Sequence, residues 1–494
     1  MALAVGDVGT GALGGLLRVA RTGRSRGPVP TAGETVSQFD VVVVGGGNAA
    51  LCAALAARDA GADVLLIERA SRLMRGGNTR HVRNLRHAHL GPDRFVSGAY
   101  PVDELLADIG AVTGDEGDAD LTRLLAEQSV EIPGWAWEHG VRWQAALRGT
   151  LSLSRTNRFF LGGGKSLVNA YHITAANRGV KVLYDATVTD LDLDGQRCRG
   201  VVLRMGDETR TVSAGAVVVA SGGFEANREW LRQYWGDAAD NFVIRGTELN
   251  DGLVLRRLFD HGACAIGDPT RFHAIAVDAR APRSDAGILS RLDAIPFGIV
   301  VNRAGVRFYD EGEEIWPKRY AIWGRLIAEQ PDQIAYVILD AKSIEEFMAP
   351  LYPPIEAGTV GELAEALALD RSAVEATVET FNRHVSPTGT FNQSELDDCR
   401  TVGLELPKSH WARRIDAPPF YAFPLRTGVT FTYHGLRVDA AARVIGEQGP
   451  FENLHAAGEI MAGNVLTRGY LAGIGMTIGS VFGRLAGREA ARRA

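Results

Sequence analysis

Three residues at a fixed spacing, Gly45-x-Gly47-x-x-Ala50, could form the turn that holds a pyrophosphate. In such a turn the first glycine permits a tight bend, and the second lets the backbone approach the phosphates. A small third residue allows a helix to pack closely on a strand. Glu68 follows 23 positions after Gly45, where a carboxylate can accept hydrogen bonds from ribose hydroxyls. These residues predict a dinucleotide site.

The elements needed to position these residues occur in the required order. The apolar run 41–44 predicts a buried strand of a parallel sheet. The Ala- and Leu-rich segment 49–60 predicts a helix, whose N-terminus would offer N–H groups and a favourable dipole to phosphates. Residues 63–67 predict a second strand that ends at Glu68. Because all parts are in place, we interpret the segment as a dinucleotide-binding unit and not as a glycine turn of another α/β protein.

Bulk properties narrow the class of protein. A chain of 494 residues is longer than one hydrophobic core usually supports, so we expect two domains. The net charge of −6 favours neither nucleic acid nor an anionic membrane as a partner. The four cysteines are scattered without CxxC pairs, which predicts no metal site and suits a reducing cytoplasm.

The first 37 residues are rich in Gly, Ala and Arg. Their basic cluster follows the apolar residues, whereas a signal peptide places its positive charge before the apolar core. We expect residues 1–37 to form a disordered extension, with a cryptic targeting segment as the alternative.

Six motifs in order resemble the FAD-dependent succinate dehydrogenase and fumarate reductase flavoproteins, whose soluble branch includes 3-ketosteroid dehydrogenases. They are VVVVGGGNAALCAALAARDAGADVLLIER (41–69), GGNT (76–79), VVVASGGFEAN (217–227), NDG (250–252), VNRAGVRFYDEG (301–312) and HAAGEIMAGN (455–464). Other stretches are closer still to the tricarballylate dehydrogenases of that superfamily. They are GGGNAALCAALAAR, RTNRFFLGGGKSLVNAY, WPKRYAIWGR, SHWARRIDAPPFYA and TFTYHGLRV.

The resemblance implies an α/β fold in which a Rossmann-like FAD-binding domain of the GR2 type is interrupted by an α+β capping domain. The FAD-binding domain would comprise residues 38–268 and 424–494, and the capping domain residues 269–423. The residues support this return to the first domain, because the chain becomes glycine-rich again after residue 455.

The resemblance also implies which residues contact FAD. Glu459 would bind the ribityl chain, and Gly475-Met476 would begin a helix whose dipole stabilises negative charge on reduced flavin. Membrane-bound relatives attach the flavin through a histidine at the place of Asn78, so we expect non-covalent FAD here. The expected contacts are Gly45, Gly46, Gly47, Asn48, Ala49, Ala50, Glu68, Arg69, Gly76, Gly77, Asn78, Thr79, Val188, Ala220, Ser221, Gly222, Asp251, Gly458, Glu459, Gly475 and Met476.

The proton-transfer residues of the superfamily do not carry over. Soluble fumarate reductases have a proton-donating arginine after a cap strand, and the matching segment 336–347 contains none. Their histidines before the last Gly-Gly of the cap are replaced here by TFTYHG (430–435). The candidates for a base are therefore Tyr433, His434 and Tyr470, with His273 as an outside candidate.

Removing two hydrogens from a C–C bond beside a carboxylate is too weakly reducing a reaction to transfer hydride to NAD. Such a reaction therefore needs a flavin. The neighbouring C–H proton becomes acidic only when the carboxylate is neutralised, which bidentate arginines do best. We expect Arg468 to be the main clamp, while Arg307 with Glu311 could form either a cap salt bridge or a catalytic pair. Each candidate arginine could equally be a surface side chain. The candidates are Arg155, Arg158, Arg245, Arg271, Arg319, Arg426 and Arg468.

Together, these features predict an FAD-dependent dehydrogenase that oxidises tricarballylate, or a related small polycarboxylate, to cis-aconitate. The resemblance implies that a separate membrane-associated iron–sulfur protein accepts the electrons. We therefore expect a cytoplasmic protein that reaches the membrane only through this partner, with no nucleic acid and no metal. The alternatives are a fumarate reductase-like or 3-ketosteroid dehydrogenase-like enzyme and a non-catalytic subunit that retains flavin.

Overall fold

The structure is a computed structural model that describes residues 36–147 and 153–494. The strands are β1 (Val36–Val44), β2 (Val64–Ile67), β3 (Asn84–Arg86), β4 (Trp143–Gln144), β5 (Asn157–Phe160), β6 (Lys181–Leu183), β7 (Thr187–Asp194), β8 (Arg197–Met205), β9 (Glu208–Val219), β10 (Val243–Ile244), β11 (Ala265–Ile266), β12 (Phe272–Asp278), β13 (Ile299–Asn302), β14 (Ile334–Asp340), β15 (Ile355–Ala357), β16 (Phe420–Thr432), β17 (Gly435–Leu436), β18 (Arg443–Gly446) and β19 (Gly449–Ala456). The α-helices are α1 (Asn48–Asp59), α2 (Val102–Thr113), α3 (Ala119–Gln128), α4 (Ile132–Glu138), α5 (Leu153–Thr156), α6 (Gly163–Asn177), α7 (Arg228–Trp235), α8 (Leu253–Asp260), α9 (Trp316–Arg319), α10 (Trp323–Ala328), α11 (Val360–Ala366), α12 (Arg371–His384) and α13 (Ile474–Arg493).

The first sheet has eight strands and contains the predicted strand–helix–strand unit. Its parallel strands lie in the order β19, β9, β1, β2 and β6, with β18 antiparallel at one edge and a β7–β8 hairpin joined to β9. The side chains of residues 41–44 are at most 4% exposed, as expected for a parallel sheet covered by helices. Helix α1 and strand β2 begin and end within one residue of their predicted bounds.

The last helix, α13, packs against α1, so the C-terminal segment returns to the first sheet. Glycines make this close approach possible, because an added Cβ at Gly483 would lie 2.5 Å from the carbonyl oxygen of Ala49. One helical turn later, an added Cβ at Gly487 would collide with the carbonyl of Ala53. The packing places the N-terminus of α13 near the β1–α1 turn.

The second sheet has six strands built around the long strand β16. This strand pairs with β10, β12, β14 and β15, and β13 extends the sheet beyond β14. Helices α11 and α12 bury a separate apolar cluster against it, which includes Ile338, Leu363 and Phe381. The C-terminal end of β16 is still paired with β12, and its residues Thr430 and Phe431 line the site described below.

The predicted α/β fold class is confirmed, and several details differ from the expectations. Strand β10 and the last residues of β16 belong to the second sheet, although they lie outside the predicted cap of 269–423. The division into FAD-binding and capping domains therefore stays a prediction. Residues 36 and 37 already belong to β1, and the rest of the predicted extension lies outside the described residues.

Candidate active site

One cavity is lined by residues of both sheets and of the segment before α13. All of the predicted cofactor residues line it except Ala50 and Gly76. Ala50 is fully buried inside α1. Gly76, with φ +106°, forms the turn before a 3₁₀ segment, and an added Cβ there would lie 2.8 Å from Val168.

The turn between β1 and α1 forms the phosphate end of the cavity. Gly45 has φ +114°, and an added Cβ there would collide with the carbonyl of Ala220, so only glycine fits. Gly47 occupies the N-cap of α1 and supplies no side chain to cap the helix. Its neighbour Asn48 donates its backbone N–H to Thr79 Oγ1 at 2.9 Å. The open helix N-terminus therefore suits a pyrophosphate.

Glu68 lies at the ribose end and is 6% exposed. Its Oε1 accepts the N–H of Ala70 at 2.8 Å, and its Oε2 accepts that of Gly76 at 3.1 Å. Burial raises the pKa of Glu68, while these backbone donors act in the opposite direction. An added Cβ at Gly46 would collide with this carboxylate, which explains the middle glycine of the motif.

Asn78 stands where the resemblance places a flavin-attaching histidine in membrane-bound relatives. Its side-chain amide is hydrogen-bonded to three other segments of the chain. Its Nδ2 donates to Glu225 Oε1 at 2.5 Å and to the Thr430 carbonyl at 2.8 Å. Its Oδ1 accepts the N–H of Thr247 at 2.9 Å. The amide therefore fixes the position of the Gly-Gly turn relative to the end of β16.

Glu225 and Glu459 form a buried pair of carboxyl groups beside this turn. Glu459 Oε1 accepts the N–H of Thr432 at 2.8 Å, and Asn250 donates to Glu225 Oε1 at 2.8 Å. Burial raises the pKa of Glu225, whose Oε2 has no hydrogen-bond partner among the described residues. Burial, followed by the negative charge of Glu225, raises the pKa of Glu459 well above its usual value.

Three arginines, Arg83, Arg245 and Arg291, line the other end of the same cavity. Arg291 donates from Nε to Asp293 at 2.6 Å, and Arg83 lies 3.8 Å from the same carboxylate. Arg245 is 3% exposed and has no carboxylate partner among the described residues. One of its terminal N–H groups donates to Thr430 Oγ1 at 2.6 Å, while its buried Nε has no partner within that part of the chain.

Burial lowers the pKa of Arg245 to about 10, and the positive charges of Arg291 and Arg83 act in the same direction. The guanidinium is nevertheless charged at neutral pH. A buried charge that lacks a counter-ion is costly unless a ligand provides one. This end of the cavity is therefore suited to an anionic group.

His273, Tyr320 and Tyr470 lie beside these arginines. The His273 ring stacks on Tyr470 with ring centroids 3.8 Å apart, and its Nε2 lies 3.0 Å from the Tyr320 hydroxyl. Its Nδ1 is buried without a hydrogen-bond partner among the described residues. Burial lowers the pKa of His273 well below its usual value, so the ring is neutral and one nitrogen can accept a proton.

The structure places three of the predicted catalytic arginines away from the cavity. Arg468 Nε donates to the carbonyl of Thr113 at 3.1 Å, because the segment before α13 turns toward α2. Arg155 pairs with Glu104 at the surface. Arg307 forms a bidentate pair with buried Glu311, at 3.0 and 2.6 Å, so the salt-bridge alternative describes its geometry.

Two predicted bases are also outside the cavity lining. Tyr433 is 1% exposed, and burial raises the pKa of its hydroxyl well above the usual value. His434 Nδ1 lies 3.0 Å from the carbonyl of Gly267, with its ring among aromatic side chains. Of the predicted catalytic set only Tyr470 lines the cavity, together with the outside candidate His273 and the clamp candidate Arg245.

Four residues that belong to the site were not predicted from the sequence: Arg83, Arg291, Tyr320 and Glu225. Arg83 occurs in the basic loop after the Gly-Gly turn, and Tyr320 and Glu225 occur within motifs used for the resemblance. No motif includes Arg291, whose position follows from an isolated antiparallel β-bridge between its backbone and that of Val277 in β12.

The fold and site together define a dinucleotide-binding flavoprotein. A helix N-terminus without a side-chain cap, the buried acid Glu68, and Glu459 with the first residues of α13 all line one cavity, so these residues fit FAD. The chain belongs to the FAD binding domain family, which matches residues 40–476. FAD is therefore its cofactor, as predicted.

The NADH:fumarate oxidoreductase of Klebsiella pneumoniae (strain 342) is 29% identical over 473 residues, covering 92% of this chain and 48% of that protein. The chain thus spans about half the length of this relative. The open conformation of a flavocytochrome c3 fumarate reductase has a TM-score of 0.71 at 22% identity, over 93% of this chain and 79% of that one. The 3-ketosteroid-Δ4-(5α)-dehydrogenase of Rhodococcus jostii RHA1, in complex with 4-androstene-3,17-dione, has a TM-score of 0.71 at 25% identity. The match covers 93% of this chain and 98% of that one.

Two further properties concern only the described residues. None of their helices has the length and apolar character needed to cross a membrane. Within the same residues, no group of three His, Cys, Asp or Glu side chains could hold a metal ion.

Proposed function

We propose that this chain is an FAD-dependent dehydrogenase that desaturates a C–C bond of a small polycarboxylate, with tricarballylate as the substrate and cis-aconitate as the product. The observation that carries the proposal is the guanidinium of Arg245, which has no carboxylate partner among the described residues and lies with Arg83 and Arg291 in the cavity that also contains the flavin motif. The local resemblance to tricarballylate dehydrogenases supports the choice of acid.

In this proposal the arginines bind the carboxylates and make the neighbouring C–H bond acidic. Arg245 is free to form a bidentate pair, and Arg83 and Arg291 share Asp293 and can contact further carboxylates. Three substrate carboxylates would thus meet three guanidinium groups. Two hydrogens leave adjacent carbons, one as a proton and one as a hydride for which bound FAD supplies the acceptor.

We assign proton removal to His273. Its ring is neutral at physiological pH, and the Nε2 contact with Tyr320 leaves Nδ1 as the open nitrogen when Nε2 carries the hydrogen. The stack on Tyr470 keeps the ring in one plane against the cavity. Tyr320, beside Arg291, would then receive a hydrogen bond that fixes the tautomer.

A fumarate reductase-like or 3-ketosteroid dehydrogenase-like reaction is the second candidate. The names of the relatives favour it, and so do the aromatic side chains of Tyr320, Phe431 and Tyr470 in the cavity. An uncompensated buried arginine favours a carboxylate over a steroid, because a steroid ring system offers no counter-ion.

For the rest of the catalytic system we propose a separate membrane-associated iron–sulfur protein as the electron acceptor, and a cytoplasmic location. The resemblance supports the acceptor, and four cysteines without disulfides support the compartment. We also propose a division into FAD-binding and capping domains near the two sheets described above.

The test is turnover of the holoenzyme with an artificial electron acceptor. Tricarballylate, succinate, citrate and 4-androstene-3,17-dione are offered in turn, and fumarate is offered with a reduced viologen. Formation of cis-aconitate from tricarballylate is the expected result. Turnover of the steroid or of fumarate alone would favour the second candidate, and an inactive holoenzyme would favour a non-catalytic subunit.

A further inference from the structure

A second cavity adjoins the flavin cavity and shares Tyr470 with it. It lies among the segment before β12, helices α9 and α10, and the segment before α13. Within the described part of the chain, its lining contains five cationic side chains and no Asp or Glu. The five are Arg271, Lys318, Arg319, Arg325 and Arg468. Three of them are arginines that the sequence indicated as substrate clamps.

Each cation has a carboxylate partner that does not line the cavity. The partners, in the same order, are Asp268 at 3.0 Å, Asp108 at 2.7 Å, Glu313 at 2.7 Å, Glu329 at 2.9 Å and Glu116 at 3.5 Å. The ion pairs restrain the cations, and their negative ends lie away from the lining. The cationic ends of the five pairs thus line the cavity, whereas their carboxylate ends do not.

Trp235 also lines this cavity, with the Arg325 guanidinium 6.0 Å from its ring centroid. Its Nε1–H is buried and has no acceptor among the described residues. Buried donors are normally paired with protein, water or ligand, so this N–H on a lining residue is an unsatisfied donor within the described part of the chain. Five cations and one unpaired donor match the hydrogen-bonding requirements of a carboxylate.

Tyr470 separates this cavity from the flavin cavity. On the flavin side its ring stacks on His273, and its hydroxyl accepts the N–H of Gly475 at 3.0 Å. On the other side the same residue lines the cationic cavity. An anion in the second cavity would therefore be one side chain away from the residues that we assign to substrate binding.

We propose that the second cavity is a separate anion site, which binds a small carboxylate and forms the entrance through which substrate reaches the flavin cavity. The binding role stands on the cavity itself, whereas the entrance role rests on the proposed function. Clefts lined by one sign of charge raise association rates by about 10- to 1,000-fold, and this gain falls with ionic strength.

Anion binding is tested on the holoenzyme by quenching of Trp235 fluorescence, obtained as the difference between wild type and Trp235→Phe. Iodide is the probe anion and caesium the cationic control. Iodide should quench Trp235 several-fold more strongly than caesium does. This preference should be lost in Arg271→Glu combined with Arg325→Glu, and kept in Arg199→Glu, an exposed arginine on β8. Equal quenching by the two ions, or a preference that survives the double charge reversal, would overturn the site.

The entrance role is tested by the second-order rate constant for flavin reduction by tricarballylate. The double charge reversal should lower it about tenfold at low salt and flatten its salt dependence, while the limiting rate at saturation stays unchanged. A normal second-order rate with iodide binding abolished would overturn the entrance role. If tricarballylate does not reduce the flavin at all, the proposed function fails, and the iodide result still decides the anion site.

Discussion

Arg245 is the residue on which the choice of substrate depends most. Replacing it with Lys keeps a positive charge but loses the planar fork, so flavin reduction should slow by about tenfold to a hundredfold, the equivalent of about 1.5–3 kcal/mol. Replacing it with Met should have a larger effect. The matched control is Arg155→Lys, because Arg155 pairs with Glu104 outside the cavity. Stopped-flow absorbance of the flavin measures all three, and equal rates in the Arg245 and Arg155 variants would exclude Arg245 as a clamp.

The Glu225–Glu459 pair predicts a pH-dependent loss of stability. Because the folded protein raises the pKa of Glu459 well above 4.5, the stability contributed by its proton is complete below that value and is lost as the pH rises. The free energy of unfolding should therefore fall as the pH rises above about 4.5, and Glu459→Gln, which imitates the protonated acid, should reduce this fall. Urea titrations of the holoprotein measure it.

The control for this pair is Glu452→Gln, at an exposed glutamate on β19. It should leave the slope of stability against pH as in the wild type. If Glu459→Gln and Glu452→Gln have the same slope, the pKa of Glu459 is not raised in the folded protein.

At the scale of elements, the packing of α13 on α1 holds the C-terminal helix against the β1–α1–β2 unit at the flavin site. Gly483→Ala would place a Cβ 2.5 Å from the Ala49 carbonyl, and overpacking of this kind costs about 1–3 kcal/mol. Gly134→Ala in α4 is the control, since no atom lies within 4 Å of the added Cβ there. The urea midpoint should fall for Gly483→Ala only, and an unchanged midpoint would mean that the helices can separate at little cost.

The elements also explain which parts of the site could be predicted from sequence. The β1–α1–β2 unit was predictable because its glycines, helix and acid are close along the chain, so local spacing determines their geometry. Arg468 was expected at the flavin edge, whereas it contacts the Thr113 carbonyl, which is 355 residues away, and no local pattern reports that contact. Arg291 was missed because its place depends on the register of β12, and Glu225 because its significance depends on Glu459.

For the molecule as a whole, Asn78 in place of the attachment histidine predicts that FAD is released into solution when the protein is denatured. Asn78 is instead held by Glu225, Thr430 and Thr247, and an amide has no nucleophilic nitrogen for attachment. Acid precipitation of the holoprotein should leave the yellow colour in the supernatant. Colour that stays in the pellet would show a covalent bond at another residue.

The central claim is that one cavity brings FAD together with an arginine cluster suited to a tricarboxylate. The most direct test is anaerobic stopped-flow absorbance of the flavin after mixing with tricarballylate or succinate at equal concentration. Tricarballylate should bleach the flavin much faster, because the third carboxylate adds an anchor that positions the reacting C–H bond. Succinate that matches tricarballylate, or a steroid that bleaches the flavin when neither acid does, would contradict the account.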